Sequence, residues 1–203
     1  MPKVKVPRKS TLVDMTAMCD VAFLLLTFFM LTTKFKPDDP IIVDVPSSVS
    51  EIKLPDSDIM TITITPEGKV FFGIDGKYNR ERLLGRISQL YNIQFTEDEV
   101  YNFSLTGSFG VPISKLKDFL NIPRNELPDI EQPGIPIDSV SNELGVWIIN
   151  GRLSNPNFRI AIKGDQDVPY PVVKKVMDTL QDKRVNKFNL ITNMEVRPQI
   201  KEI

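Results

Sequence analysis

Residues Met15–Thr33 form a run of 19 residues in which the only charged side chain is Asp20. As a helix such a run is roughly 28 Å long, just enough to cross the hydrocarbon core of a bilayer. Nothing else in the chain limits its possible folds as strongly. Residues 1–12 carry Lys3, Lys5, Arg8 and Lys9 and no acid. No small-x-small cleavage pattern follows the run; Lys34, Phe35 and Lys36 come next, so an uncleaved anchor is expected over a signal peptide. Four Lys/Arg precede the run against two just after it. The positive-inside rule then puts the N-terminus in the cytoplasm. The remaining 170 residues lie on the outer side, in the periplasm if the host has two membranes.

A carboxylate inside an apolar span costs a few kcal/mol on insertion scales and lowers that cost by taking up a proton. Such a residue faces a partner helix or a water-filled path. Thr16 lies four residues before Asp20 and Thr27 seven after it. At about 100° per residue the three fall within roughly 40° of one line, giving a narrow polar stripe on a lipid-compatible cylinder. Asp14 falls about 120° away, at the interface, where it stays hydrated. Two readings of Asp20 stand equal on these residues alone: an ion carrier, or glue that fixes a helix assembly. Both require a partner.

The chain contains no histidine and a single cysteine, Cys19. That removes His-based triads, the commonest general base and almost every ordinary zinc site. A net charge of −1 argues against a dedicated nucleic-acid binder. No carboxylate pair stands out as an acid/base couple, so neither an enzyme nor a cofactor is expected. Gly73–Gly76 and Gly164–Asp167 lack the spacing of a P-loop or an EF-hand. Asp38-Asp39 and Glu97-Asp98-Glu99 read as solvated charge clusters.

Asp20-Val21-Ala22-Phe23-Leu24-Leu25-Leu26-Thr27-Phe28-Phe29-Met30-Leu31, preceded by Met15-Thr16, resembles the transmembrane signature of the ExbD/TolR biopolymer-transport family. The match is gapless, with the aspartate in register. Ala17 stands where that family often has proline, and Asp14 where asparagine is common. Ile41–Ser47 is similar to the short extended segment that follows the family's helix. Phe158–Gly164, Tyr170–Lys183 and Phe188–Thr192 are similar to its closing strand–helix–strand. The similarity covers residues 10–92 and 156–197 and finds no counterpart for 93–155. It implies a homodimeric subunit whose helices sit inside a multi-span ExbB-like pentamer in the inner membrane. Protons would bind Asp20, and the resulting motion would pass to a TonB-like protein serving the outer membrane. A flagellar stator-type protein also has one span with an aspartate, but its larger peptidoglycan-binding module is not seen here. A membrane-anchored scaffold or binding domain, with Asp20 only fixing assembly, is the third reading.

The expected fold class is α+β. It comprises a cytoplasmic segment 1–12, a transmembrane helix 13–33, an extended linker 34–57, a periplasmic domain 58–197 and a tail 198–203. In the domain, Met60, Ile62 and Ile64 alternate with Ile59, Thr61, Thr63 and Thr65, which predicts a strand. Pro66-Glu67-Gly68 turns the chain into a second strand, Lys69–Phe72, and Asp75-Gly76 marks another turn. Asn79 is placed to cap a helix to Tyr91 with Leu83, Leu84, Ile87, Leu90 and Tyr91 on one face. Arg159–Lys163 reads as a strand. Pro171 suits the first turn of a helix with Val172, Val173, Val176, Met177 and Leu180 as its apolar face. The FNLIT strand follows. The result is a small ββαβαβ-type domain with two helices on one face of a sheet. The insert 93–155 carries five prolines. Short helices are expected there at Ile113–Leu120 and Ser139–Ile149, with Trp147 as its core anchor.

Overall fold

The computed structural model describes residues 15–33, 43–45, 47–48, 57–123, 126–127, 130–138, 141–185, 187–191 and 193–194. The expectations for 1–12, Asp14, Lys34–Lys36, Asp38-Asp39, most of the linker, Val140, Thr192 and 198–203 lie outside those residues. The chain divides into two compact units, Met1–Lys36 and Pro37–Ile203.

The first unit contains helix α1, Met15–Thr32. The second begins with a two-residue strand β1, Ser47–Ser48, then a hairpin of β2, Ile59–Ile64, and β3, Val70–Ile74. Helices α2, Lys77–Tyr91, and α3, Glu97–Leu105, follow, then strand β4, Ser108–Phe109. A 3-10 turn, Ile113–Lys115, leads into α4, Leu116–Leu120, and α5 runs Glu143–Ser154. The chain closes with β5, Arg159–Gly164, α6, Tyr170–Asp182, β6, Phe188–Ile191, and β7, Asn193–Met194.

Five strands form one sheet in the order β4-β3-β2-β5-β6. β2 pairs antiparallel with β3, and parallel with β5, which pairs parallel with β6. The hairpin closes as expected: Thr65 N–H donates to Lys69 O, and Gly68 turns the chain with φ +77°. Period-two alternation puts Met60, Ile62 and Ile64 on one face, each fully buried. Register aligns them with Ile74, Phe72 and Val70 on β3 and with Ile160 and Ile162 on β5. Burying side chains of this size stabilises by about 1.5–3 kcal/mol each.

More helices than the two expected contribute to the core. Leu83, Leu84 and Ile87 of α2, Leu144, Trp147 and Ile148 of α5, and Val176 and Leu180 of α6 join one core. The insert supplies α5 and also Phe103 of α3 and Leu116 and Phe119 of α4. Gly151 lets α5 approach the sheet: an added Cβ there would meet Met60 Sδ at 2.8 Å. The insert also supplies the edge strand β4, whose Phe109 lies opposite Phe72. Residues 93–155 are therefore part of the domain's core and not an appendage to it.

Several local expectations are corrected. Asn79 does not cap α2; Gly76 holds the N-cap position, and Asn79 Nδ2 donates to Asp75 O at 2.9 Å. Leu90 and Tyr91 are exposed, because α2 turns its last residues away from the core. The second insert helix starts at Glu143, capped by Asn142 Oδ1, which accepts from Gly145 N at 3.0 Å. The acidic run Glu97–Glu99 is the first turn of α3. Thr96 Oγ1 accepts from Glu99 N while Glu99 Oε2 accepts from Thr96 N, a capping box. Glu99 is buried, and its other oxygen accepts from Asn121 Nδ2 at 2.9 Å. Its carboxylate is a fold element and not a solvated charge.

Gly110 leaves no room for a side chain. A Cβ there would lie 2.3 Å from Phe71 Cδ1. Gly110→Ala should destabilise the domain by about 1–3 kcal/mol through overpacking. Thermal unfolding checks this, and an unchanged Tm would mean that Phe71 swings aside without cost.

Candidate functional site

Helix α1 is rich in apolar and aromatic residues, and three threonines in or just after its second half bond back to its own carbonyls. Thr27 Oγ1 donates to Leu24 O at 2.9 Å, Thr32 Oγ1 to Phe28 O at 2.8 Å, and Thr33 Oγ1 to Phe29 O at 2.6 Å. Such back-bonding lets threonine enter hydrocarbon without an unmet donor. None of the helix residues is buried by the protein. Eleven large apolar side chains, from Met15 to Leu31, are each more than half exposed. Covering them is worth on the order of 20 kcal/mol, against a few kcal/mol to bring one carboxyl into the same medium. The apolar surface wins, and it carries Asp20 in with it.

Asp20 is the sixth residue of the helix, roughly 8 Å along its axis from Met15. Thr16 sits a little over one turn before it and Thr27 two turns after, both within about 40° around the axis. Phe23 and Leu24 flank this line at about 60° and 40° on either side. The helix therefore places Asp20, Thr16 and Thr27 along one stripe. Thr27's proton is committed to Leu24, so toward a neighbour Thr27 presents oxygen lone pairs. A protonated Asp20 could donate to such an acceptor on an adjoining helix, whereas a carboxylate needs water or a donor.

The acidic turn after β5 has a different task. Asp165 Oδ2 accepts from Asp44 N at 2.9 Å, its Oδ1 accepts from Asp167 N at 3.0 Å, and Gln166 N donates to Asp44 O at 3.0 Å. Val43 beside it is buried, and Ser47–Ser48 pairs parallel with Asn193–Met194. The described part of the linker is thus fastened to the C-terminal domain by Asp165 and β7.

Two charged groups of that domain are held by close neighbours, one buried and one at the surface. Arg80 is buried, and desolvation holds its guanidinium below the usual arginine range. Its Nε donates to Ile74 O at 2.8 Å and its Nη1 to Ser104 O. Glu131 is held below the usual carboxylate range by its hydrogen bond to Lys69. Among the described residues no group of three or more acidic, cysteine or histidine side chains is arranged to hold a metal ion.

The family model for biopolymer transport protein ExbD/TolR matches residues 7–195. The chain belongs to the ExbD/TolR family. The matched range starts before the first stretch in which resemblance was expected and ends two residues short of the second, and its end points enclose the insert 93–155. No curated protein and no solved structure matches significantly. ExbD/TolR proteins are membrane-anchored subunits for energy transduction in biopolymer transport, and they generally work with ExbB/TonB-type complexes. In this member one N-terminal helix, α1, is long and apolar enough to cross a membrane.

Proposed function

We propose that this ExbD/TolR protein is the ion-carrying subunit of an inner-membrane motor that uses the proton motive force. Its output is work on TonB-dependent transport across the outer membrane. The observation that carries the reading is Asp20, the only charge on a helix with no buried residue. Two copies of α1 lie within a multi-span ExbB-like pentamer. The N-terminus is cytoplasmic and the C-terminal domain periplasmic, where it meets a TonB-like partner. The subunit works without enzymatic chemistry and without a cofactor.

The mechanism follows from charge. A proton arriving from the periplasmic side neutralises Asp20, so that α1 can turn toward a less hydrated surface of its partner. Release to the cytoplasm restores the carboxylate, which then seeks the hydrated path again. Thr16 and Thr27 line that path with oxygen atoms. Two copies loaded alternately convert proton passage into stepwise motion. A proton crossing about 150 mV releases roughly 3.5 kcal/mol. That suffices to bias a conformational step by a few hundredfold.

Proton flux into proteoliposomes holding the subunit with its ExbB-like partner tests this directly. Wild-type complexes should acidify the lumen under an applied potential and Asp20→Asn complexes should not. Equal flux through both would remove Asp20 from the proton path.

A further inference from the structure

Where β5 and β6 begin, the C-terminal domain has a groove of about 930 Å³. Four cations line it: Arg152 in the last turn of α5, Arg159 on β5, Arg184 after α6 and Lys187 before β6. No carboxylate lines it, and none of the four cations has an ion-pair partner among the described residues. Asp58, whose O accepts from Arg159 N, is occupied elsewhere: its Oδ1 accepts from Asn155 Nδ2 at 2.6 Å. A cation at a helix C-terminus offsets the helix dipole, which accounts for Arg152 and Arg184. Arg159 and Lys187 stand at strand starts and have no such role. The chain as a whole has net charge −1, so the cluster is not a by-product of a basic protein. Grouping like charges around one groove costs stability unless an anion offsets it.

Arg184 itself stands where glycine is the usual residue. Its N–H donates to Gln181 O and Val185 N–H donates to Leu180 O, both at 2.8 Å. That bond pair closes a helix through a left-handed residue, and φ of Arg184 is +56°. A charged side chain is thus kept at the groove against the backbone's preference.

Beside the groove lies an apolar hollow of about 360 Å³, which shares Arg152 and Val185 with it and adds a fifth cation, Lys183. Two residues of the hollow, Ile149 and Leu153, are 39% and 56% exposed. Cations set around exposed aliphatic side chains match a surface that lies in the headgroup region of a bilayer. Residues 33–58 join α1 to β2 and span at most about 90 Å, so the bilayer that α1 is suited to cross stays within reach. A tether of this kind lets a weak site stay occupied, because it keeps the effective concentration high.

We infer that this face docks on anionic phospholipid at the surface of the membrane that anchors the chain. Lipid phosphates meet Arg152, Arg159, Arg184 and Lys187, the arginine forks matching phosphate oxygens in pairs. Ile149 and Leu153 enter between the headgroups, where their aliphatic surface leaves water. A glycan or a soluble phosphate compound would satisfy the cations and leave those two side chains wet, so lipid fits both features together. The inference rests on α1 as a membrane anchor and does not depend on the role given to Asp20.

The test uses the full chain in nanodiscs of zwitterionic lipid, mixed with separate sucrose-loaded vesicles that are then pelleted. The vesicles are either rich in phosphatidylglycerol or made of phosphatidylcholine alone. No proton gradient is present, so the result is independent of proton passage. Lys3, Lys5, Arg8 and Lys9 form a second cationic segment, so the effect of variants in the groove is the deciding measurement. Glycine adopts φ +56° freely, so Arg184→Gly with Lys187→Gln keeps the fold while removing two cations. Ile149→Gln with Leu153→Gln removes the aliphatic surface at two exposed helix positions. Phosphatidylglycerol vesicles should capture the wild-type chain about tenfold better than phosphatidylcholine vesicles, less so as salt rises. Each cation near an anionic surface is worth roughly fivefold, so the first variant, folded by circular dichroism, should lose about tenfold or more. The second should bind severalfold more weakly. Equal capture by the two kinds of vesicle, or unchanged capture in either variant, overturns the proposal. So does binding of peptidoglycan sacculi or soluble glycerol phosphate without capture of the vesicles.

Discussion

Asp20→Asn should abolish energy-dependent transport while leaving the membrane complex assembled. Asparagine keeps nearly the size of aspartate and can still hydrogen-bond to a neighbouring helix, so a purely adhesive Asp20 would tolerate the change. It cannot gain or lose a proton, so a carrier would not. The step it removes is worth roughly 3.5 kcal/mol per proton at about 150 mV. Transport should therefore fall to the level seen with a protonophore. Cargo uptake in cells, paired with a pulldown of the ExbB-like partner, measures both halves of the statement. Uptake near wild type with the complex intact would leave Asp20 as assembly glue. Loss of both would mean that the charge is needed for assembly, and the proton-carrier reading would then lose its support. Asp20→Glu should retain partial function, since the carboxyl survives but sits one methylene further from the helix. Thr27→Val should matter little to the helix itself, because its hydroxyl bonds only Leu24 O within α1.

The second large effect belongs to the fold. Trp147→Ala should destabilise the C-terminal domain by about 3–5 kcal/mol, much of the margin of an ordinary domain. Trp147 is fully buried and touches three rings: Phe109 edge-on at 4.8 Å, Phe72 stacked at 6.1 Å and Phe103 stacked at 6.3 Å between centroids. These rings come from β3, α3 and β4, so alanine would leave a cavity at a junction that cannot collapse from one side. Trp147→Phe should cost distinctly less. It keeps an aromatic partner and removes the indole Nε1–H, which has no hydrogen-bond acceptor among the described residues. Urea unfolding of the full chain in detergent, followed by circular dichroism, separates the two variants. A loss under about 1 kcal/mol for alanine would show that the ring cluster repacks and that Trp147 is no keystone.

Trp147 also marks where reading the chain reached its limit. Its apolar surroundings in sequence identified it as a core residue of the insert. Its partners Phe72, Phe103 and Phe109 are dispersed along the chain, and no local pattern says that they meet. The capping box Thr96-x-x-Glu99 was legible in principle: threonine followed three residues later by glutamate is a helix start signal. The flanking acids made it look like a solvated cluster, and only the burial of Glu99 against Asn121 decides otherwise. Asn79, conversely, had the right residue type for a cap and lost the position to Gly76, whose φ of +87° turns the chain three residues earlier.

What the amino-acid order determined by itself was everything with a local period. A run of apolar residues around one acid specifies a spanning helix and singles out Asp20, because a helix needs no partner to present its stripe. Alternation in Ile59–Ile64, followed by the Pro66-Glu67-Gly68 turn and an apolar return strand, specifies a hairpin, because its turn and both strands are contiguous. The packing of the insert's helices into the core, the fastening of Asp44 by Asp165 and the ring cluster around Trp147 were decided only in the tertiary structure. Each joins residues from separate elements, some more than 100 positions apart. Their meeting depends on sheet order and helix packing, which arise from the burial of the whole core and leave no periodic trace in the chain.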